Sequence, residues 1–288
     1  MTEKRGDMTL SEEQLLHYRQ EGYLVLPGYV SANWLTRLNQ VTGKFVEESR
    51  QVTESNKLFD IEPDHSADAP RLRRLNSPVD RDEVYWEFAS TSEIVDLAEA
   101  ILGPDLKFHH GKLNFKMPHG GEEVKWHQDI QFWPHTNYDL LTIGVYLEDV
   151  AEGQGEMGFI PRSHDGELFD QYDGDQWLGY ISETQHGRIP LQTAVFPTGP
   201  AGTVTIHSCR MIHGSYPNYS SNQRPLLLQT YAAADAFAYT DLVRRAPHGE
   251  QIIRGQPARW ARHDPRPCQV PPVKIGTIFQ AQQKESIN

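Results

Sequence analysis

The run Trp126-His127-Gln128-Asp129 sets an imidazole and a carboxylate two residues apart. On a strand, residues i and i+2 leave the same face, so His127 and Asp129 can approach one cation together. One more histidine from elsewhere would complete a two-histidine, one-carboxylate set. Three protein donors on one side of an octahedron suit ferrous iron and leave positions open for substrate, cosubstrate and oxygen. His213, in His213-Gly214-Ser215, is the candidate third donor, and Arg224 follows eleven residues later. Between them lies a turn signal, Pro217-Asn218-Tyr219-Ser220. In a hairpin this turn sets Arg224 nearly opposite His213, with Cβ atoms about 5 Å apart. A guanidinium there could grip the far carboxylate of a dicarboxylate whose other end chelates the metal.

Without that context the pair says little. Thirteen histidines and 39 acidic residues in 288 make about two His-x-Asp/Glu pairs a chance expectation, and two occur. The other, His248-x-Glu250, is followed only by His263 in an Arg- and Pro-rich stretch. His207-x-Cys209-x3-His213 is also the skeleton of a zinc site, which would need a fourth ligand and a closed tetrahedron. Arg224 alone would serve equally as a cross-strand ion-pair partner, and Ser215 as a turn residue. Phe132, Trp133 and Tyr146 lie near the metal strands as candidate substrate-lining aromatics, against core packing as the ordinary use of such rings. His109 and His110, adjacent on a strand, should face opposite ways. The Arg71, Arg73 and Arg74 cluster reads as a solvated face or an anion grip.

The elements that must position these residues change character along the chain. Thr9 and Ser11 offer caps for a short helix ending at Gly22, and Tyr23–Pro27 reads as a buried strand. Ser31 caps a longer helix with Trp34, Leu38, Val41 and Phe45 on one face. Residues 50–80 are polar and interrupted by proline, which predicts a lid or a mobile excursion. Thr91 or Ser92 caps a helix over residues 93–102, stopped by Gly103-Pro104. From Leu106 the apolar period falls from 3.6 to 2, predicting strands at 106–117, 124–130, 140–148, 156–160, 192–196, 202–207 and 224–233. Helices first and strands later exclude a wound α/β sheet and predict a mainly β domain with flanking helices. The polar loops 50–80 and 165–190 are expected to cover the pocket and carry specificity. Beyond Asp235 the periodicity is weak.

Composition narrows the function further. A length of 288 residues with 38% hydrophobic residues supports a substantial core, and one large β domain reaches this size. The charged residues, 27 Lys+Arg against 39 Asp+Glu, leave a net charge of −12, which argues against a general nucleic-acid binder. A small anion held by one local arginine remains compatible with that acidity. No run approaches the roughly 18 apolar residues of a membrane span, and Met1–Asp7 has no apolar run after it to make a signal peptide. Two cysteines, Cys209 and Cys268, exclude a disulfide framework and suit a reducing compartment. The expectation is a cytoplasmic enzyme acting on a small molecule, monomeric or homodimeric.

Four motifs in order carry a family resemblance: Tyr23-Leu-Val-Leu-Pro-Gly28, Trp126-His-Gln-Asp129, Gly158-Phe-Ile-Pro-Arg-Ser-His164, and His213-Gly-Ser215 with Arg224. Over about residues 10–233 the chain resembles the phytanoyl-CoA dioxygenase (PhyH) family of Fe(II)/2-oxoglutarate-dependent oxygenases. The resemblance implies one domain over residues 1–288, with 234–288 an extension. Its core would be a double-stranded β-helix, the jelly-roll or cupin-like arrangement of two facing sheets. His127, Asp129 and His213 would ligate iron, and Arg224 and Ser215 would hold the C5 carboxylate of 2-oxoglutarate. Asn114 and Arg73 stand where relatives place cosubstrate contacts. The implied reaction consumes O2 and hydroxylates an unactivated C–H bond, releasing succinate and CO2. Desaturation, epoxidation or ring formation are the alternatives on the same site, and a non-catalytic metal-binding jelly roll is the alternative of another class. Related halogenases have a small residue where this chain has Asp129, so the carboxylate points to hydroxylation. Where the family usually has Pro-Gly-Ser-His, this chain has Arg162 in place of the glycine.

Overall fold

Ser11 starts the first helix with a reciprocal cap: its hydroxyl accepts from the Gln14 N–H while the Gln14 side chain accepts from the Ser11 N–H. Helix α1 (Glu12–Glu21) ends at Gly22, whose left-handed conformation (φ 81°) returns its N–H to the Tyr18 carbonyl. The computed structural model describes residues 10–241, 246–273 and 278–282. Thr9 and the Met1–Asp7 reading therefore lie outside the described residues. Three more helices follow: α2 (Ala32–Ser49) capped by Ser31, α3 (Glu83–Thr91) capped by Asp82, and α4 (Glu93–Leu102). Leu38, Val41 and Phe45 of α2 are buried as the four-three-four spacing predicts.

Strands β1 (Tyr23–Leu26), β2 (Phe59–Ile61), β3 (Leu72–Asn76), β4 (Leu106–Asn114), β5 (Val124–Gln128), β6 (Leu140–Tyr146) and β7 (Met157–Phe159) come in the first two-thirds of the chain. The hairpin β8 (Tyr172–Asp173) and β9 (Gln176–Trp177) precedes β10 (Val204–Ser208), β11 (Ile212–Ser215), β12 (Leu226–Ala233) and β13 (Ile252–Arg254). The major sheet runs β1-β10-β6-β12-β4-β3-β2, with β13 paired to β4, and all its pairings are antiparallel. Strands β5-β11-β7 form the minor sheet facing it. This is the jelly-roll core, mainly antiparallel β with helices outside.

Alternation along the strands assigns the two faces of the major sheet. Leu113, Ile143, Val145, Ile206, Leu227 and Tyr231 pack with Leu38, Phe88 and Leu97 of the helices in one apolar cluster. The intervening residues, Lys112, Asn114, Thr142, His207, Leu226 and Leu228, face the minor sheet. The outer face of the minor sheet, with Trp126, Ile160 and Ile212, is covered by Phe169, Ile181 and Ile189.

Three expectations change. Residues 50–80 are no free excursion: β2 and β3 extend the major sheet, and Leu72 and Leu75 are buried against the helices. The charged Leu72-Arg-Arg-Leu75 conceals this strand because Arg73 has carboxylate partners that only the fold supplies and Arg74 turns inward. Residues 165–190 cover the back of the minor sheet with Phe169, Ile181 and Ile189, while their Trp177 packs with Phe132, Ile278 and Phe279. At 192–196 the chain makes a short 3₁₀ turn, Leu191–Thr193, and a single bridge from Val195 to Phe159. Arg162, in the glycine position of the third motif, takes the left-handed conformation a glycine would supply (φ 68°). Its guanidinium is anchored to Glu21 at 2.9 Å, which helps hold that turn.

Candidate active site

His127 and His213 face each other across the minor sheet as direct register partners, with ring centroids 4.1 Å apart. Each ring is aimed by its own strand: His127 Nδ1 donates to the Lys125 carbonyl (2.8 Å) and His213 Nδ1 to the Met211 carbonyl (2.9 Å). A carbonyl can only accept, so the proton sits on Nδ1 and both Nε2 lone pairs are free to bind a cation. Asp129 opens a 3₁₀ turn immediately after β5. Its Oδ1 lies 3.7 Å from His127 Nε2 and 3.8 Å from His213 Nε2. Donor atoms of the three residues all fall within 4.8 Å of one another, and all three side chains are buried.

The electrostatics suit a cation. Burial alone would push the Asp129 carboxyl up, but Lys112 and the surrounding histidines hold it well below the usual carboxylate range. Burial and the neighbouring His127 push the His213 imidazole down, which keeps it neutral. A carboxylate with neutral imidazoles is the protonation state metal binding requires. In the sequence His207 stands only in the skeleton of a zinc site. The structure brings its Nε2 to 3.6 Å from Asp129 Oδ2, on the carboxylate oxygen away from His127 and His213. Cys209 does not join them: its thiol approaches the Tyr138 carbonyl, and burial pushes its pKa up.

Arg224 reaches the site by another route than the hairpin. Strand β11 lies in the minor sheet and β12 in the major one, so His213 and Arg224 are not cross-strand partners. The segment between them crosses from sheet to sheet, fastened where Asn218 donates to the carbonyls of Lys116 and Asn222. Arg224 and Ser215 then line one cavity of about 40 Å³ with His127, His213 and Asn114. Arg224 Nε donates to the Gly155 carbonyl (3.0 Å), while its Nη1 is buried without a partner.

The phytanoyl-CoA dioxygenase (PhyH) family matches residues 18–226. A probable alpha-ketoglutarate-dependent hypophosphite dioxygenase of Stutzerimonas stutzeri is 31% identical over 278 residues, 94% of this chain and 96% of that protein. The chain belongs to the phytanoyl-CoA dioxygenase family. An L-proline trans-4-hydroxylase of Streptomyces griseoviridis is 30% identical, over 75% of this chain and 84% of its own. The iron-bound crystal structure of EctD from S. alaskensis shares the fold with a TM-score of 0.68 at 22% identity, covering 94% of this chain and 92% of that one. The protein is accordingly an enzyme, a 2-oxoglutarate- and iron-dependent dioxygenase with a small-molecule substrate.

Within this PhyH-family site the residues fit the groups the family uses. Two histidines and a carboxylate converge with free lone pairs, and a buried guanidinium with an unpartnered N–H stands across the cavity for a carboxylate. Other sequence candidates fall elsewhere. Arg73 does not line the cavity; it pairs with Asp60, Glu62 (3.2 Å) and Glu122 (2.7 Å). Alternation along β3 sends its neighbour Arg74 inward instead, opposite Asn114 in the register. Tyr146 does not line the cavity either: its hydroxyl donates to the Pro197 carbonyl (2.7 Å) and its ring packs with Met157, Leu226 and Leu228. Phe132 meets His127 edge-on at 5.7 Å, and Trp133 packs against His109 and His110, both outside the cavity wall. A β-bulge opposite Thr230 and Tyr231 turns both His109 and His110 toward Trp133, where strict alternation would separate them. His248 stacks on Trp86 at 3.9 Å and Glu250 pairs with Lys107, so the second His-x-Glu match is structural.

The mouth of the cavity holds residues with no signal in the sequence. Helix α5 (Ile278–Gln282), from the unpatterned extension, places Ile278 and Phe279 in the wall. Gln282 ties it down, accepting from the Lys125 N–H (3.0 Å) and donating to the Gly179 carbonyl (3.0 Å). Lys112 was legible in principle: it lies two residues before Asn114 on the same strand face.

Proposed function

We propose that His127, Asp129 and His213 hold ferrous iron, and that Arg224 and Ser215, with Asn114 beside them, orient 2-oxoglutarate for hydroxylation of an unactivated bond to hydrogen in a small molecule. Iron and the keto acid, when bound, supply oxygen activation and leave succinate and CO2. The chain supplies position. Nδ1–H donation to the Lys125 and Met211 carbonyls fixes the tautomer of both imidazoles and aims their Nε2 atoms. Arg224, itself steadied by the Gly155 carbonyl, offers its remaining N–H to the distal carboxylate. Phe279 and Ile278 keep bulk water from the cavity mouth. Asp129 retains a carboxylate where halide would otherwise enter, which favours hydroxylation.

The observation that carries this reading is the convergence of three donor side chains within 4.8 Å, in one cavity with a buried and incompletely bonded guanidinium. A non-catalytic metal-binding module has no use for that guanidinium. The two relatives at 30% identity or more are named for hypophosphite and proline, and they extend the reading to compact substrates of that kind. Two unpaired cysteines suit a reducing compartment, and on this reading the enzyme belongs to the cytoplasm as a monomer or homodimer acting on a small molecule. The test is anaerobic addition of Fe(II) and then 2-oxoglutarate, followed by the visible charge-transfer band of a chelated keto acid. The band should form in the wild type and vanish in His213→Ala; a wild type that binds iron without forming it overturns the cosubstrate assignment.

A further inference from the structure

The cavity holds more positive charge than iron and cosubstrate can neutralise. An iron dication, Asp129, a dicarboxylate and Arg224 together sum to zero. Arg74, Lys112 and Lys116, which line the same cavity, are left over; Lys116 is tied to the Glu122 carbonyl, and none of the lining residues among those described is an aspartate or glutamate. Arg74 is 7% exposed; its Nε donates to Asn114 Oδ1 (2.8 Å), and its Nη2 is buried with no partner. Burial pushes its guanidinium down to about 10 and also lowers the Lys112 ammonium. Both therefore stand where a counter-anion is wanted. The adjacent Arg73 supplies the internal control, since the fold surrounds that equally buried guanidinium with three carboxylates. The same strand neutralises one arginine and leaves the next open, and a buried charge without a partner is retained only at a cost in stability.

We propose that Arg74 and Lys112 form an anion subsite for the substrate, and that the substrate is a compact tetrahedral oxyanion without a cationic group, of the phosphinate or phosphonate class. This rests on the iron and 2-oxoglutarate assignment above. A planar carboxylate is satisfied by one guanidinium fork, whereas two cations on neighbouring strands address oxygens that diverge from a tetrahedral centre. An amino acid would bring an ammonium against Arg74 and Lys112 with no lining carboxylate to receive it. The cavity, about 40 Å³ between Phe279, Leu226 and Leu228, suits a compact substrate rather than a long one. For a phosphinate, the P–H bond breaks, P–O and O–H bonds form from one atom of O2, and the hydrogen stays on the new hydroxyl. The other oxygen atom enters succinate as the keto acid loses CO2, so substrate and keto acid each give up two electrons.

The experiment uses the full chain loaded with Fe(II) and 2-oxoglutarate without oxygen, titrated in parallel with hypophosphite, methylphosphonate and L-proline. A phosphorus oxyanion should shift the charge-transfer band and, once air is admitted, raise succinate release; proline should do neither. Arg74→Gln and Lys112→Met should each raise the half-saturating oxyanion concentration by about tenfold or more, as loss of a charged hydrogen-bond partner does. Both should leave 2-oxoglutarate saturation within about twofold, and Arg74→Lys and Lys112→Arg should recover part of the oxyanion affinity. Equal weakening of 2-oxoglutarate would reassign these cations to the cosubstrate and overturn the subsite. A band that forms in the wild type but responds to proline and to neither oxyanion would overturn the substrate class. Failure of the band itself would instead strike the iron and 2-oxoglutarate reading.

Discussion

The two faces of the major sheet are built from the same strands one residue out of step, yet they answer to different physics. On the outer face Leu113, Ile143, Leu227 and Tyr231 meet the helices, and each buried apolar group adds to stability without needing a particular partner. On the inner face Lys112, Asn114, Thr142 and His207 point at the minor sheet, and several of their neighbours have unmet hydrogen-bonding groups. His207 has no hydrogen-bond partner on either ring nitrogen, and Arg74 and Arg224 each keep one buried N–H unsatisfied. In a closed core such groups are destabilising by about 1–3 kcal/mol each. The two arginines open on one cavity and mark that part of the inner face as a surface completed by ligands, whereas the outer face is closed by apolar packing, with Gln229 as its buried polar exception.

Substitutions on the two faces should therefore separate stability from function. The largest effect is expected at His213→Ala, which should abolish turnover with iron and 2-oxoglutarate while circular dichroism and thermal melting stay near wild type. Collapse of the fold in that variant would mean the inner face is structural after all. Next comes Leu227→Ala on the outer face, expected to cost about 2–5 kcal/mol in denaturant unfolding. Iron and 2-oxoglutarate affinity of its folded fraction should be unchanged; a selective loss of either would break the division between the faces. Arg224→Gln should weaken 2-oxoglutarate about ten- to a hundredfold by band titration, leaving iron affinity alone, as removal of one charged hydrogen-bond partner predicts. The smallest effect belongs to Tyr146→Phe, an inner-face residue that points away from the cavity. Loss of its bond to Pro197 should cost about 1 kcal/mol of stability and leave turnover unaltered.

Much of the site was legible because its signals are local. His127 and Asp129 lie two apart on one strand end, Ser215 lies two after His213, and Asn114 sits on a period-2 strand. Alternation alone orients such residues, whatever the rest of the fold does. The helix caps at Ser11 and Ser31 were legible for the same reason, since a cap is a contact within three residues. Expectations failed wherever an assignment depended on distant partners. Arg73 and Arg74 look alike in sequence, and only the approach of Asp60, Glu62 and Glu122 decides which one is neutralised. The hairpin joining His213 to Arg224 failed because a turn signal says that the chain reverses, not which sheet it enters.

The sequence by itself determined the donor chemistry, the strand and helix periods, and the order of motifs that makes this a PhyH-family chain, because those properties reside in residue type and short-range spacing. Tertiary structure alone decided that His127 and His213 face each other, that His207 closes on the far oxygen of Asp129, and that α5 returns to wall the cavity with Phe279. It also decided that, among the described residues, Arg74 and Lys112 share that wall with no carboxylate. These are contacts between segments tens to hundreds of residues apart. Their geometry follows from sheet register and packing, which no local pattern encodes.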